Sequence, residues 1–127
     1  MFSHVTLGMD DADASRRFYD AILGSIGVPA GVTDERGRLV YSHDGGRLLI
    51  TAPVNGEPPV AGNGHTLGFL IPSPQAVDAW HEAGITHGGT TCEDPPGIRQ
   101  ATGGRVVYLA YLRDPAGNKL CGFHRIS

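Results

Sequence analysis

The chain has 127 residues and a formal net charge of −3 at pH 7, a length that suits one compact domain without disulfide bonds. It has no basic run and no apolar stretch near the roughly 20 residues of a membrane span, so we expect neither nucleic acid nor a membrane as partner. With two cysteines, Cys92 and Cys121, and no secretory signal, it is predicted to be a cytoplasmic protein with reduced thiols.

The first half of the sequence predicts one strand, one helix and three further strands. Residues 3–9 are rich in apolar and β-branched side chains, which favour a strand. Aspartates at residues 10–13 then cap a helix that is predicted to end at Gly24. The three further strands are predicted at residues 32–34, 38–43 and 47–52. Asp44-Gly45, between the last two, is a dipeptide typical of a two-residue type I′ hairpin turn.

The second half repeats this order after a Pro/Gly/Asn-rich linker at residues 54–63. Residues 65–71 predict a strand, and Ser73-Pro74 begins a helix that is predicted to end at Gly84. Three more strands are predicted, near residues 89–92 and at residues 105–112 and 119–124, with residues 94–104 as a loop. We therefore predict a single domain, residues 1–127, built from module 1 (residues 1–53) and module 2 (residues 64–127).

The two predicted modules open with nearly the same residues, His4-Val5-Thr6-Leu7-Gly8 and His65-Thr66-Leu67-Gly68. A shift of 61 positions superposes His4 on His65 and Tyr19 on Trp80, which indicates an internal repeat. Two imidazoles and one thiolate leave an open coordination position, so His4, His65 and Cys121 form a candidate metal site. In the alternative interpretation the histidines are ordinary polar residues and Cys121 is a small buried apolar one.

The last predicted hairpin brings a phenol and a thiol together. If Arg113 and Lys119 flank the turn at residues 114–118, Tyr111 lies directly opposite Cys121 and on the same face of the sheet. Tyr111 is therefore a candidate catalytic residue, with packing in the wall of a pocket as the alternative.

Four features of the chain together resemble the vicinal oxygen chelate superfamily, which comprises glyoxalase I, bleomycin-resistance and fosfomycin-resistance proteins, and extradiol dioxygenases. They are a histidine that opens the first strand, the helix sequence Phe18-Tyr19-Asp20-Ala21-Ile22-Leu23-Gly24, a second module at His65, and the terminal Asp114-Pro115-Ala116-Gly117-Asn118-Lys119-Leu120. The resemblance implies an α+β fold of two βαβββ modules. Their strands form a cupped, mixed, open barrel with the helices outside, usually in a homodimer.

In metal-dependent members of this superfamily the ligands come from the opening and closing strands of each module. His4 and His65 match the opening-strand ligands, whereas Cys121 stands where the superfamily usually has glutamate. The closing strand of module 1, residues 47–52, contains no carboxylate. Tyr111 has the spacing before Asp-Pro that resembles the active-site tyrosine of extradiol dioxygenases. In dimeric relatives, one site can combine module 1 of one chain with module 2 of its partner.

The resemblance implies a protein that acts on a small molecule. One hypothesis is a lyase or dioxygenase-type enzyme that uses zinc, nickel, manganese or iron. Authentic glyoxalase I activity is not expected, because a metal-bound thiolate is a poorer base than the missing carboxylate. The other hypothesis is a metal-free protein that sequesters a drug-like molecule in its cup.

Overall fold

A computed structural model describes all residues, 1–127, as nine strands and two α-helices. In chain order the elements are β1 (His4–Gly8), α1 (Ala12–Gly24), β2 (Val32–Thr33), β3 (Leu39–His43), β4 (Gly46–Thr51), β5 (Leu67–Leu70), α2 (Pro74–Thr86), β6 (Thr90–Thr91), β7 (Gly97–Gln100), a 3-10 turn (Thr102–Gly104), β8 (Val106–Arg113) and β9 (Lys119–Arg125). Neither α-helix has the length and apolar character needed to cross a membrane.

The strands form two mixed sheets with the same order. In module 1 the order is β1-β4-β3-β2, and β1 runs parallel to β4. In module 2 it is β5-β9-β8, with β5 parallel to β9 and with β6 and β7 both paired to the outer edge of β8. Because β6 and β7 share that edge, together they take the place that β2 has in module 1. The predicted α+β fold with open, mixed sheets is confirmed.

Local sequence signals account for the turns and helix starts. Asp44 and Gly45 have φ angles of 49° and 81°, as a type I′ turn requires. The side chains of Asp11 and Ser73 each accept a hydrogen bond from the backbone N–H three residues later, at 3.0 Å. These two side chains cap α1 and α2, as predicted.

Three predictions for module 2 are wrong: one helix end, one loop and one strand start. The helix α2 continues past Gly84 to Thr86, because Gly84 is buried and a side chain there would collide with Leu112 and Ile22. This glycine allows close packing and does not end the helix. The predicted loop at residues 94–104 contains β7, whose alternating exposed residues give no apolar pattern. The strand predicted at residues 65–71 begins only at Leu67.

One hydrophobic core joins the two modules. Sixteen buried residues form a single cluster to which both helices and both sheets contribute, and its largest side chains are Trp80, Tyr19 and Phe18. Each sheet therefore has one face turned to this core. Side chains alternate along a strand, so in β8 Ala110 and Leu112 face the core and Tyr111 lies on the other side.

We call the face of each sheet that is turned away from the core its open face. The open face of module 1 carries His4, Thr6, Val40, Ser42, Arg47, Leu49 and Thr51. The open face of module 2 carries Gly68, Leu70, Val107, Leu109, Tyr111, Arg113, Lys119, Cys121, Phe123 and Arg125.

A buried polar network explains the terminal Asp-Pro-Ala-Gly-Asn sequence. The Asp114 carboxylate accepts hydrogen bonds from the Tyr19 hydroxyl, from two backbone N–H groups of its own turn, and from the Asn118 side-chain amide. The same amide donates to the backbone oxygen of Gly8 at 2.9 Å. The turn between β8 and β9 is thereby fastened to α1 and β1 of the other module.

Candidate functional site

The two modules are related by a shift of 62 positions, not by the predicted 61. The capping residues Asp11 and Ser73 are 62 positions apart, and each begins a helix of 13 residues. The same shift places Phe18 on Trp80, and both side chains are completely buried. The predicted equivalence of Tyr19 and Trp80 is wrong, because it rested on residue type and not on position relative to the helix start.

This shift separates the two histidines of the repeated sequence. His4 corresponds to Thr66, and the core-packed Val5 corresponds to the core-packed Leu67. In a strand a difference of one residue moves a side chain to the opposite face. His4 stands exposed on the open face of module 1, whereas His65 precedes β5 and its Nε2 accepts a hydrogen bond of 2.8 Å from the Gly62 backbone N–H.

The predicted pairing of Tyr111 and Cys121 is confirmed. The two residues are directly opposite each other in the antiparallel β8–β9 pair, and Gly68 of β5 lies on the other side of Cys121. Cys121 is 7% exposed and forms the floor of the open face of module 2. In module 1 the residue in the corresponding register position is Leu49, which is also buried.

The residues present do not fit a divalent metal ion within one chain. The repeat-equivalent open-face positions, His4, Leu49, Thr66 and Cys121, supply one imidazole and one thiol, on different sheets. No group of three or more histidine, cysteine, aspartate or glutamate side chains is arranged to hold a metal ion. A protein zinc site takes at least three protein ligands, so the predicted set of His4, His65 and Cys121 is not assembled in a single chain.

Tyr111 and Cys121 are both uncharged at neutral pH. Burial raises the pKa of the Cys121 thiol to about 11, and burial is also the largest cause of the raised pKa of the Tyr111 phenol. A protonated thiol is a poor nucleophile, and a neutral phenol is a hydrogen-bond donor rather than a base. The arrangement therefore supplies polar recognition without an activated nucleophile.

Charged residues border this pair on one side. The Lys119 ammonium lies 4.9 Å from the centre of the Tyr111 ring, within cation–π distance, and it forms an ion pair with Glu93. Sequence reasoning missed both residues. Lys119 could have been found, because it is two positions before Cys121 on the same strand and so shares its face. Glu93 could not, because its contact with Lys119 depends on the fold.

Apolar residues border the pair on the other side. Leu70, Leu109 and Phe123 are neighbours in the strand register of β5, β8 and β9. None belongs to the core cluster, and the Leu70 side chain is 79% exposed. Across the open face of module 2, a charged row, a thiol–phenol row and an apolar row thus follow one another.

The second cysteine continues the thiol–phenol row. Cys92 directly follows β6, in which Thr91 pairs with Leu112 of β8. If the register of this antiparallel pair is continued by one residue, Cys92 lies opposite Tyr111. Cys92 and Cys121 therefore lie on either side of Tyr111, two strand spacings or about 10 Å apart. A disulfide needs Cα atoms closer than about 7 Å, and both thiols are free.

Two concave spaces lie outside the Tyr111–Cys121 pair, and the first of them borders the open face of module 2 at Gly68 and Leu70. A crevice of about 430 Å³ between the modules is lined by Ile26, Val28, Leu67 and further, mostly apolar residues. A groove of about 440 Å³ on the open face of module 1 is roofed by the proline-rich linker, and Pro59 lies against Gly8. The linker thus covers part of the open face of module 1.

Two modules with the same strand order, a βαβββ module and one in which β6 and β7 share the place of a single edge strand, are joined through one core and define the class of fold. The sequence matches the family model "Glyoxalase/Bleomycin resistance protein/Dioxygenase superfamily" over residues 1–121, and the chain belongs to this superfamily.

Solved structures agree with this assignment. A glyoxalase/bleomycin resistance protein from Albidiferax ferrireducens T118 is 52% identical, with 98% of each chain covered and a TM-score of 0.93. A glyoxalase-related enzyme from Fulvimarina pelagi is 21% identical, covers 98% of this chain and 87% of its own, and has a TM-score of 0.73. A lactoylglutathione lyase from Agrobacterium tumefaciens is 19% identical, with 98% and 92% covered and a TM-score of 0.65. The last two show similarity of fold only. No protein with a curated description matches the chain.

Proposed function

We propose that this protein binds a small, largely apolar molecule on the open face of module 2 and does so without a resident metal ion. The observation that carries the proposal is the Tyr111–Cys121 pair, two uncharged polar groups in register beside an apolar row. Ligand sites in proteins are mostly apolar with a few placed polar groups, and this face has that composition.

Each row has a distinct part in the proposed complex. Leu70, Leu109 and Phe123 would lose their contact with water to the apolar body of the ligand, which is the main source of affinity. The Tyr111 hydroxyl would donate a hydrogen bond to a ligand oxygen, because its raised pKa keeps the proton in place. The buried Cys121 thiol forms a soft, apolar floor.

A homodimer would complete this site. A row of apolar side chains outside the core, here Leu70, Leu109 and Phe123, makes this sheet face a candidate interface or ligand site. A second copy that turns the open face of its module 1 towards this surface would close the cup and bring His4 of the partner subunit to its rim. Two free thiols on one chain also fit the reducing cytoplasm, where we place the protein.

The experiment is a fluorescence titration with Nile red, an uncharged apolar dye, on protein dialysed against EDTA. Leu109→Ser removes apolar surface from the open face of module 2, and Ile26→Ser is the matched control, since Ile26 is also half-buried but lines the crevice between the modules. We expect Leu109→Ser to weaken binding about tenfold and Ile26→Ser to leave it unchanged. The reverse pattern would place the ligand in the crevice and contradict the proposal.

A metal-dependent lyase or dioxygenase-type enzyme is the second candidate, with Tyr111 as catalytic residue. The observation that favours it is that His4 and Cys121 both stand on open faces, so two subunits of a dimer can bring them together. Metal analysis of untagged protein tests it. Stoichiometric zinc, nickel, manganese or iron that His4→Ala and Cys121→Ala remove would support this candidate. Loss in His65→Ala would instead restore His65 as a ligand.

A further inference from the structure

We propose that the open face of module 2 selects apolar monoanions, that Lys119 is their counter-ion, and that Glu93 is an internal carboxylate that competes with the ligand. This inference rests on the proposed function and names its ligand class. It follows from the contacts of Lys119, from the position of Glu93 and from the order of the rows on this face.

Lys119 is directed towards the proposed ligand and not into solvent. It shares the face of Cys121 and Tyr111, and its ammonium lies over the Tyr111 ring at 4.9 Å. Its neighbour in register, Arg113, is already engaged, since its guanidinium donates to the Gly117 backbone oxygen at 2.8 Å. Lys119 is therefore the cation whose charge is directed to the row of Tyr111 and Cys121.

Glu93 now supplies the anion that Lys119 requires. It comes from the segment after β6, and its carboxylate pairs with the Lys119 ammonium while about half of the Glu93 side chain remains exposed. Its backbone has a φ of 56°, in the left-handed region that residues other than glycine seldom adopt. Because this pair is partly open to water, it is weak, and a ligand carboxylate can replace Glu93 on Lys119.

The order of the rows fixes the shape of the ligand. Lys119 and Phe123 are four positions apart on β9, or about 13 Å at the usual strand rise, with Cys121 between them. The Lys119 side chain leans towards the middle row, which shortens the distance from its charge to the apolar row. A carboxylate on an aryl or alkyl body of medium length would therefore span the distance from Lys119 to the apolar row.

The experiment is calorimetric titration of the full-length chain with 4-phenylbutyrate and with its neutral amide, 4-phenylbutanamide, which has the same apolar body. We expect the acid to bind about fivefold more tightly than the amide at low salt, with the difference shrinking as salt screens the ion pair. Lys119→Met should make the affinities for the acid and the amide equal while the amide still binds.

The carboxylate competitor is tested by a matched pair of variants with the same change of net charge. Glu93→Gln should raise the affinity for the acid about two- to fivefold and leave the amide unchanged. Asp94→Asn, which removes the neighbouring exposed carboxylate, should change neither affinity. Equal effects of the two variants on the acid, or a wild-type protein that binds acid and amide equally, would overturn the inference.

The titrations distinguish a failure of the anion selectivity from a failure of the proposed binding function. If the amide binds on the open face and the acid binds no better, the anion selectivity is wrong and the proposed binding function stands. If neither compound binds, the inference and the proposed function are both contradicted. Thermal unfolding followed by the fluorescence of Trp80, the single tryptophan of the chain, shows that each variant is folded.

Discussion

The hydroxyl of Tyr19 lies 2.5 Å from Oδ2 of Asp114, a residue 95 positions further along the chain. Both residues are buried, and Asp114 also accepts hydrogen bonds from Asn118, whose amide reaches Gly8. One carboxylate thus joins the first helix, the first strand and the last hairpin. This gives the terminal sequence of the superfamily a structural role, distinct from the ligand-binding role of the strand that follows it.

Tyr19→Phe should destabilise the protein by about 1.5–3 kcal/mol, the usual range for a lost hydrogen bond to a charged group. The cause is that a buried carboxylate loses one of its donors. Tyr108→Phe is the matched control, because the Tyr108 hydroxyl also donates to an aspartate, Asp78, at the surface. That variant should change the free energy of unfolding by less than about 0.5 kcal/mol in urea titrations. Equal losses in both variants would contradict the role of the buried network.

Gly122→Ala should destabilise the protein by about 1–3 kcal/mol through overpacking. A Cβ at Gly122 would lie 2.8 Å from Cε3 of Trp80 and 3.0 Å from Cδ1 of Ile71. Gly68→Ala, on the neighbouring strand β5, meets nothing within 4 Å and serves as the control. Differential scanning calorimetry should show a lower Tm for Gly122→Ala only; an unchanged Tm there would mean that α2 is not packed tightly on β9.

The two thiols should differ in reactivity. Cys92 is half-buried beside a short edge strand, whereas Cys121 is buried and its pKa is raised to about 11. Since the thiolate is the reactive form, iodoacetamide at pH 8 should modify Cys92 first and Cys121 only after unfolding. Mass spectrometry of the peptides reports both rates. Faster labelling of Cys121 in the folded protein would show that its thiol is neither buried nor neutral.

The raised pKa of Cys121 also predicts a loss of stability at alkaline pH. The folded state holds the thiol proton more tightly than the unfolded chain, so this contribution to stability is complete below the ordinary pKa of 9.0. It is lost as the pH rises towards about 11. Urea titrations at several pH values should show a flatter decline for Cys121→Ala than for the wild type. If the stability of both proteins declines equally with pH, the raised pKa of Cys121 is contradicted. The tyrosines with raised pKa are present in both proteins and cannot cause a difference between them.

Part of this structure can be read from the sequence because local chemistry determines it. Asp44-Gly45 specifies its turn, and Asp11 and Ser73 specify the helix starts. The repeated histidines led to a wrong alignment of the two modules. The sheet face on which a side chain lies depends on its position in the strand and not on its residue type. Counted from the helix starts, Thr66 and not His65 is the partner of His4.

Other features depend on contacts that no local pattern shows. β7 has alternating exposed residues and forms because β8 offers it an unpaired edge. The ion pair of Glu93 and Lys119 joins residues that are distant in sequence, through the place where β6 ends. Tyr111 and Cys121 were predictable as a pair, since they belong to one hairpin whose turn has clear sequence signals.

Methyl NMR of the metal-free protein titrated with 4-phenylbutanamide locates the bound molecule and so tests the proposed function. The claim is that an apolar ligand binds on the open face of module 2 without a metal ion. The methyl signals of Leu109, which does not line the crevice, should shift on binding, those of Ile26 and Val28 in the crevice should not, and EDTA should change nothing. Shifts confined to the crevice, or binding that EDTA abolishes, would contradict the account.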